Sequence, residues 1–177
     1  MITFAPMRLR FFHSAIAATF VAVSLMACGG ATFDGHVFRS DELSFRVANA
    51  PEDWHPIDTE GALLAFRDDR TPATIALSGR CGKDGDDVPL EALIHHLFLQ
   101  FTDRTVESQT RIQLDGREAL RTELSAKLDG VAKRFTVFVL KKNGCVYDFV
   151  YVAPVSAGAT GRQRFDAFVE GFSTIKP

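Results

Sequence analysis

The chain has 177 residues, of which 46% are apolar and 16 are phenylalanine, a composition that excludes a disordered polypeptide. Its 20 basic and 22 acidic residues leave a formal charge of −2, without the basic excess that a nucleic-acid partner requires.

The first 14 residues carry Arg8 and Arg10 and no acid, and Ala15 to Ala27 is an uncharged apolar run. A basic start, a short apolar middle and a small residue at its end are the parts of a secretory signal peptide. The run is too short for a transmembrane helix, which needs about 20 apolar residues. Met7-Arg8-Leu9-Arg10 gives an alternative, more compact basic start. The run closes on Leu25-Met26-Ala27-Cys28, with a bulky residue three before the cysteine where ordinary signal peptidase wants a small one.

These four residues resemble the lipobox of bacterial lipoproteins, with Met26 departing from the small residue usual at its position. The resemblance implies cleavage before Cys28, lipid on its sulfur and amine, and a membrane anchor. The alternative is a plain secreted protein in which Cys28 is an ordinary thiol. Gly29 lacks the aspartate that retains many enterobacterial lipoproteins in the inner membrane, so the outer membrane, on its periplasmic side, is the expected address. Residues 1–27 are thus read as signal peptide, 28–36 as a short tether and 37–177 as one domain. Removing 1–27 leaves 18 basic against 22 acidic residues and enough chain for a core that buries roughly 70% of its unfolded surface.

From Val37 the pattern is strand-like. Leu43, Phe45 and Val47 alternate with Ser44 and Arg46, and Pro51-Glu52-Asp53-Trp54 turns into a second strand. Ala62 to Arg67 and Ala73 to Ser78 follow, parted by the charged turn Asp68 to Pro72. After the loop Cys81 to Asp87, capped by Asp86 or Asp87 with Pro89 in the first turn, a helix places Leu90, Leu93, Ile94, Leu97, Phe98 and Phe101 on one face. Four strands come next. Val106 to Leu114 and Leu120 to Leu128 alternate apolar or hydroxyl residues with polar ones. Phe135 to Leu140 and Val146 to Val152 are apolar on both faces, as central strands of a doubly covered sheet are. Asp129-Gly130 and Asn143-Gly144 are two-residue hairpin signals. At Asp115-Gly116 a two-residue loop sets Ile112 opposite Ala119 and apolar against polar, so matching faces requires a three-residue loop, Asp115 to Arg117, with Ile112 opposite Leu120. A last helix from about Thr160 aligns Phe165, Phe168, Val169 and Phe172. The fold class is α+β: an antiparallel sheet of about six strands with helices on both faces.

The run Phe45-Arg46-Val47 to Pro51 and Trp54, the helix after Pro89, the Asp115-Gly116-Arg117 turn, the Tyr147-Asp148-Phe149 strand and the Phe165-x-x-Phe168-x-x-x-Phe172 helix resemble those of PsbP-like proteins. That superfamily also includes a yeast Ran-binding import factor. The resemblance spans about residues 37 to 175. It implies a sheet with helices on both faces and a non-enzymatic role assisting a larger complex, and it transfers no functional residue.

Candidate chemistry is sparse. His95 and His96 are adjacent on a helix, about 100° apart, whereas metal-binding helices place histidines four apart. Asp148 lies between Val146 and Val150 on one face and needs a partner; Lys141, its diagonal neighbour across the Asn143-Gly144 hairpin, is the candidate. Asp68 and Asp69 point to opposite sides of a strand end and read as a solvated turn. No nucleophile elbow or phosphate loop occurs, and no residue pattern asks for a cofactor, a metal or a catalytic role. Cys81 and Cys145, at strand ends and 64 positions apart, are expected to form a disulfide in an exported protein; two free thiols, or one paired with a partner protein, are the alternatives. The expected function is a lipid-anchored, non-enzymatic interaction or assembly module of the bacterial envelope, using a sheet edge or the Arg67–Pro72 and Cys81–Val88 loops to hold an envelope protein. A binder of a small apolar or lipid ligand, and a hydrolase whose site forms only in the tertiary structure, are the alternatives.

Overall fold

The computed structural model describes residues 30–82 and 88–175. Eleven strands and two helices are ordered β1 (Thr32–Phe33), β2 (Val37–Arg39), β3 (Ser44–Arg46), β4 (Trp54–Pro56), β5 (Leu64–Asp68), β6 (Ala73–Cys81), α1 (Leu90–Leu97), β7 (Thr102–Leu114), β8 (Arg117–Leu128), β9 (Val131–Lys142), β10 (Cys145–Pro154), α2 (Ala159–Glu170) and β11 (Ser173–Thr174). The strands β4-β5-β6-β10-β9-β8-β7 form one antiparallel sheet, and β1-β2-β3-β11 form a second, smaller one. The ordered structure reaches back to Thr32, inside the segment read as tether, because Thr32 and Phe33 pair with Arg39 and Phe38.

The two doubly apolar strands, β9 and β10, lie inside the large sheet, as their side chains require. On one face α1 lays Leu93 and Ile94, followed by Phe98, against Leu120, Leu124, Phe135, Val137, Val139 and Val146. On the other face α2 supplies Phe165, Phe168 and Val169, and the small sheet adds Phe38, Phe45 and Val47. Each of these fully buried side chains contributes about 2 kcal/mol before ordering costs. The expectation of about six strands with helices on both faces is corrected here. The described residues are mostly strand with two short helices, and a second sheet does much of the covering. Strands of two and three residues are too short to show periodicity in a sequence.

α1 ends at Leu97, earlier than its apolar spacing implies. Phe98 and Leu99 donate to His95 and His96, three residues back, tightening the last turn. Arg104 satisfies the Phe98 carbonyl at 3.0 Å. Phe101 still reaches the core, meeting Phe98 and Phe135 with ring centroids 5.0 and 5.2 Å away. Asp86 and Asp87, the expected caps, lie outside the described residues, and Pro89 takes the cap position itself.

The Asp115-Gly116, Asp129-Gly130 and Asn143-Gly144 pairs each close a two-residue hairpin with positive φ at both positions, the geometry of type I′ turns. This corrects the three-residue loop at Asp115. Leu114 pairs with Arg117 and Ile112 with Ala119. The turn chemistry sets the register because β7 is almost wholly exposed, so burial does not enforce its alternation. A bulge between Val106 and Ser108 then resets the strand. Before it Val106 sits opposite Leu124 on the α1 face; after it Ile112 and Leu114 join Ala119 and Phe138 on the α2 face. Arg111, opposite Leu120, reaches over to Glu91 of α1 at 2.6 Å and to Glu118.

Candidate functional site

Cys28 lies outside the described residues. Cys81 and Cys145 are directly opposite each other on β6 and β10, with Cα atoms 4.0 Å apart, and are joined by a disulfide. The bond ties the turn end of the Asn143-Gly144 hairpin to the end of β6.

Asp148 faces Val139 across the hairpin, as the sequence places it, and its side chain is fully buried. Its ion partner is a correction. Arg80, diagonal to it on β6, pairs with Oδ2, while Lys141, diagonal on β9, donates to the Val88 carbonyl at 3.0 Å. Both cations stand equally near in register, one on each side of β10, and only the hairpin neighbour is visible from sequence. Burial pushes the Asp148 carboxyl above its ordinary value, and Arg80 offsets this only in part. Oδ1 has no hydrogen-bond partner among the described residues.

Asp68 also departs from the expected solvated turn. It is fully buried at the end of β5, where Oδ1 accepts the amides of Arg70 and Thr71 and Oδ2 accepts the Thr71 hydroxyl and Arg164 of α2. Burial pushes this carboxyl up, but those donors more than compensate and hold it below the ordinary value. Arg164 also forks onto both oxygens of Asp53 at 2.8 and 2.6 Å and lies over Trp54. The Arg67–Pro72 turn is therefore a clamp for α2, not an adaptable loop. Asp69 stays at the surface beside His55, 3.0 Å away. His95 and His96 are exposed on α1. Among the described residues no group of three or more His, Cys, Asp or Glu is arranged to hold a metal ion.

The longest sheet edge among the described residues is β7. β7 is 13 residues long, exposed nearly throughout, and last in the strand order. Behind it, between α1 and the sheet, runs a crevice of about 220 Å³ bordered by Ile94, Phe98, Val106, Leu124, Arg104 and Gln109. Val106 at its rim is 58% exposed. Sequence periodicity missed this crevice, because the bulge that turns Val106 toward α1 leaves no sequence signal.

No known family model matches the chain, and no curated protein matches it in sequence. Solved structures do. Cyanobacterial PsbP (CyanoP) from Synechocystis sp. PCC 6803 superposes with a TM-score of 0.57 at 16% identity, over 85% of this chain and 99% of that one. The fold is PsbP-like. LpqN, a protein involved in cell envelope biogenesis of Mycobacterium tuberculosis, gives 0.53 at 16% identity over 77% and 87%. A protein from Bacteroides thetaiotaomicron VPI-5482 gives 0.54 at 12%, over 75% of this chain but 45% of that longer one. At these identities the likeness concerns architecture alone.

Proposed function

We propose that the protein is a lipid-anchored, non-enzymatic interaction module of the bacterial cell envelope, held by lipid on Cys28 and engaging an envelope protein through the β7 edge. The observation that carries the reading is the edge itself. A strand of 13 residues with no neighbour on one side among the described residues offers a row of backbone donors and acceptors to an added strand, and the crevice behind it can take one apolar side chain of that strand. Natural sheets normally blunt such an edge; here the bulge and the charges of Arg104, Glu107 and Arg111 discourage promiscuous pairing while leaving the edge uncovered. The lipobox-like Leu25 to Cys28 supports the anchor. The likeness in fold to LpqN, itself an envelope protein by description, agrees with the setting. No helix among the described residues is long and apolar enough to cross a membrane. Cells given labelled palmitate should label the wild type and not Cys28→Ser, and the wild type should sediment with outer membranes. A photo-crosslinker at Thr110 should give a discrete adduct in cells, whereas one at Glu170 on α2 should give none. Equal labelling, or adducts at Glu170 alone, contradicts the reading.

A second reading rests on the same crevice, whose walls are mainly apolar. In this reading it holds a small apolar ligand between α1 and the sheet. Native mass spectra carrying a bound lipid that Ile94→Trp removes would favour it.

A further inference from the structure

The charged side chains of β7 are Asp103, Arg104, Glu107 and Arg111, and their partners are unevenly shared. Asp103 meets Lys127 at 2.7 Å, Glu107 stands 3.8 Å from Arg134, and Arg111 is held by Glu91 and Glu118. Arg104 alone has no acid beside it among the described residues. Its Nη1 donates to the Phe98 carbonyl at 3.0 Å, and the residue is exposed. A guanidinium has further donors in its fixed fork, and these are left to solvent.

Two irregularities decide where this cation stands. The pairing of β7 with β8 shifts between Thr102 and Thr105 and again between Val106 and Ser108. At the first shift Asp103 has φ +50°. In the short piece between them, Arg104 and Val106 both border the crevice under α1, while Thr105 lies opposite Ser125 and faces the other way. The crevice of about 220 Å³ has Ile94, Phe98 and Leu124 in its walls. An unpaired cation therefore stands two positions along the edge from an exposed apolar residue, at the rim of a mainly apolar crevice.

A strand added in the antiparallel order of this sheet sets one of its residues beside Val106, and the residue two positions later beside Arg104. The first has the crevice beneath it and gains by being apolar. The second meets a cation with donors to spare; opposite charges across strands attract and like charges repel. A second copy of β7 cannot supply this order. Two residues beyond Val106 and Ile112 come Ser108 and Leu114, and no apolar residue of the strand is followed at that spacing by an acid.

We infer that the β7 edge selects an extended segment, antiparallel to it, in which an apolar residue is followed two positions later by aspartate or glutamate. The apolar side chain fills the crevice and the carboxylate takes the free donors of Arg104. This rests on the edge reading given above and adds the chemistry of the partner to it.

Fluorescence anisotropy of labelled, threonine-rich peptides titrated with the full-length chain in neutral detergent tests the inference. One peptide carries leucine and, two positions on, glutamate; in the others lysine replaces that glutamate, or glutamine replaces the leucine. The leucine–glutamate peptide should bind saturably. Either replacement should weaken it about tenfold or more, as loss of a charged hydrogen bond or of a buried apolar side chain does. Arg104→Glu should invert the preference toward the lysine peptide, which a merely structural role for Arg104 would not do. Arg104→Gln, which keeps a donor for the Phe98 carbonyl, should lose the charge preference and keep the leucine preference. Equal binding of the glutamate and lysine peptides by the wild type overturns the inference and leaves the edge reading standing. Binding of none of the peptides also overturns it, and the absence of a Thr110 adduct in cells would remove the edge reading as well. Thr110 adducts joining two copies of this chain would overturn it too.

Discussion

Asp68 and Asp148 are both fully buried carboxylates on the same sheet, and their surroundings drive them in opposite directions. Asp68 collects two amides, a hydroxyl and a guanidinium, so its folded pKa falls below the ordinary 3.8. Its stabilisation is complete above that value and is lost as pH falls through the lower folded one. Asp148 has Arg80 alone against its burial, and its folded pKa rises above 3.8. Its contribution is favourable below 3.8 and is lost as pH rises through the raised value. Urea unfolding of the two asparagine variants separates the cases. Asp68→Asn should lose about 3 kcal/mol at pH 7, since Arg164 is left with one acid in a dry site. Asp148→Asn should match or exceed the wild type at pH 7 by about 1 kcal/mol and flatten the pH dependence above pH 4. A loss of stability at pH 7 in both variants would contradict this assignment of signs.

At the scale of elements, local chemistry decided more than alternation did. The Asp129-Gly130 and Asn143-Gly144 turns, the doubly apolar β9 and β10 and the aromatic faces of α1 and α2 were legible, because each is written within a dozen residues. The bulge at Glu107 was not, since an exposed strand places no demand on its own pattern, and the register at Asp115 was misread for that reason. The small sheet, the Arg80 pairing and the Arg164 clamp on Asp68 join residues far apart in the chain, where spacing carries no information. The disulfide was reachable from compartment and position alone. It closes a separation of 64 residues, so Cys145→Ser should cost about 4 kcal/mol in the chain-entropy account, measured against the oxidised wild type. The return of the chain from α2 into β11 is equally constrained. A Cβ on Gly171 would meet the Ala48 backbone nitrogen at 2.8 Å, and backbone cannot step aside as a side-chain tip can. Gly171→Ala should therefore destabilise by about 2 kcal/mol, whereas an added Cβ at Gly158 meets nothing.

For the whole molecule, the proposed anchor would leave little slack. β1 begins at Thr32, so a lipid on Cys28, if it is there as proposed, would reach it through four residues, about 14 Å when fully extended. A domain held that close can search only partners in or beside the same membrane, which fits an edge strand meant for an envelope protein better than a diffusible role. The anchor is thus the claim on which the rest depends. Intact-mass measurement of the protein extracted from cell membranes tests it most directly. The predicted mass is that of residues 28–177 plus a diacylglyceryl group and its N-terminal acyl chain, less two hydrogens for the Cys81–Cys145 bond. A mature chain without acyl mass, or one beginning anywhere other than Cys28, would contradict it.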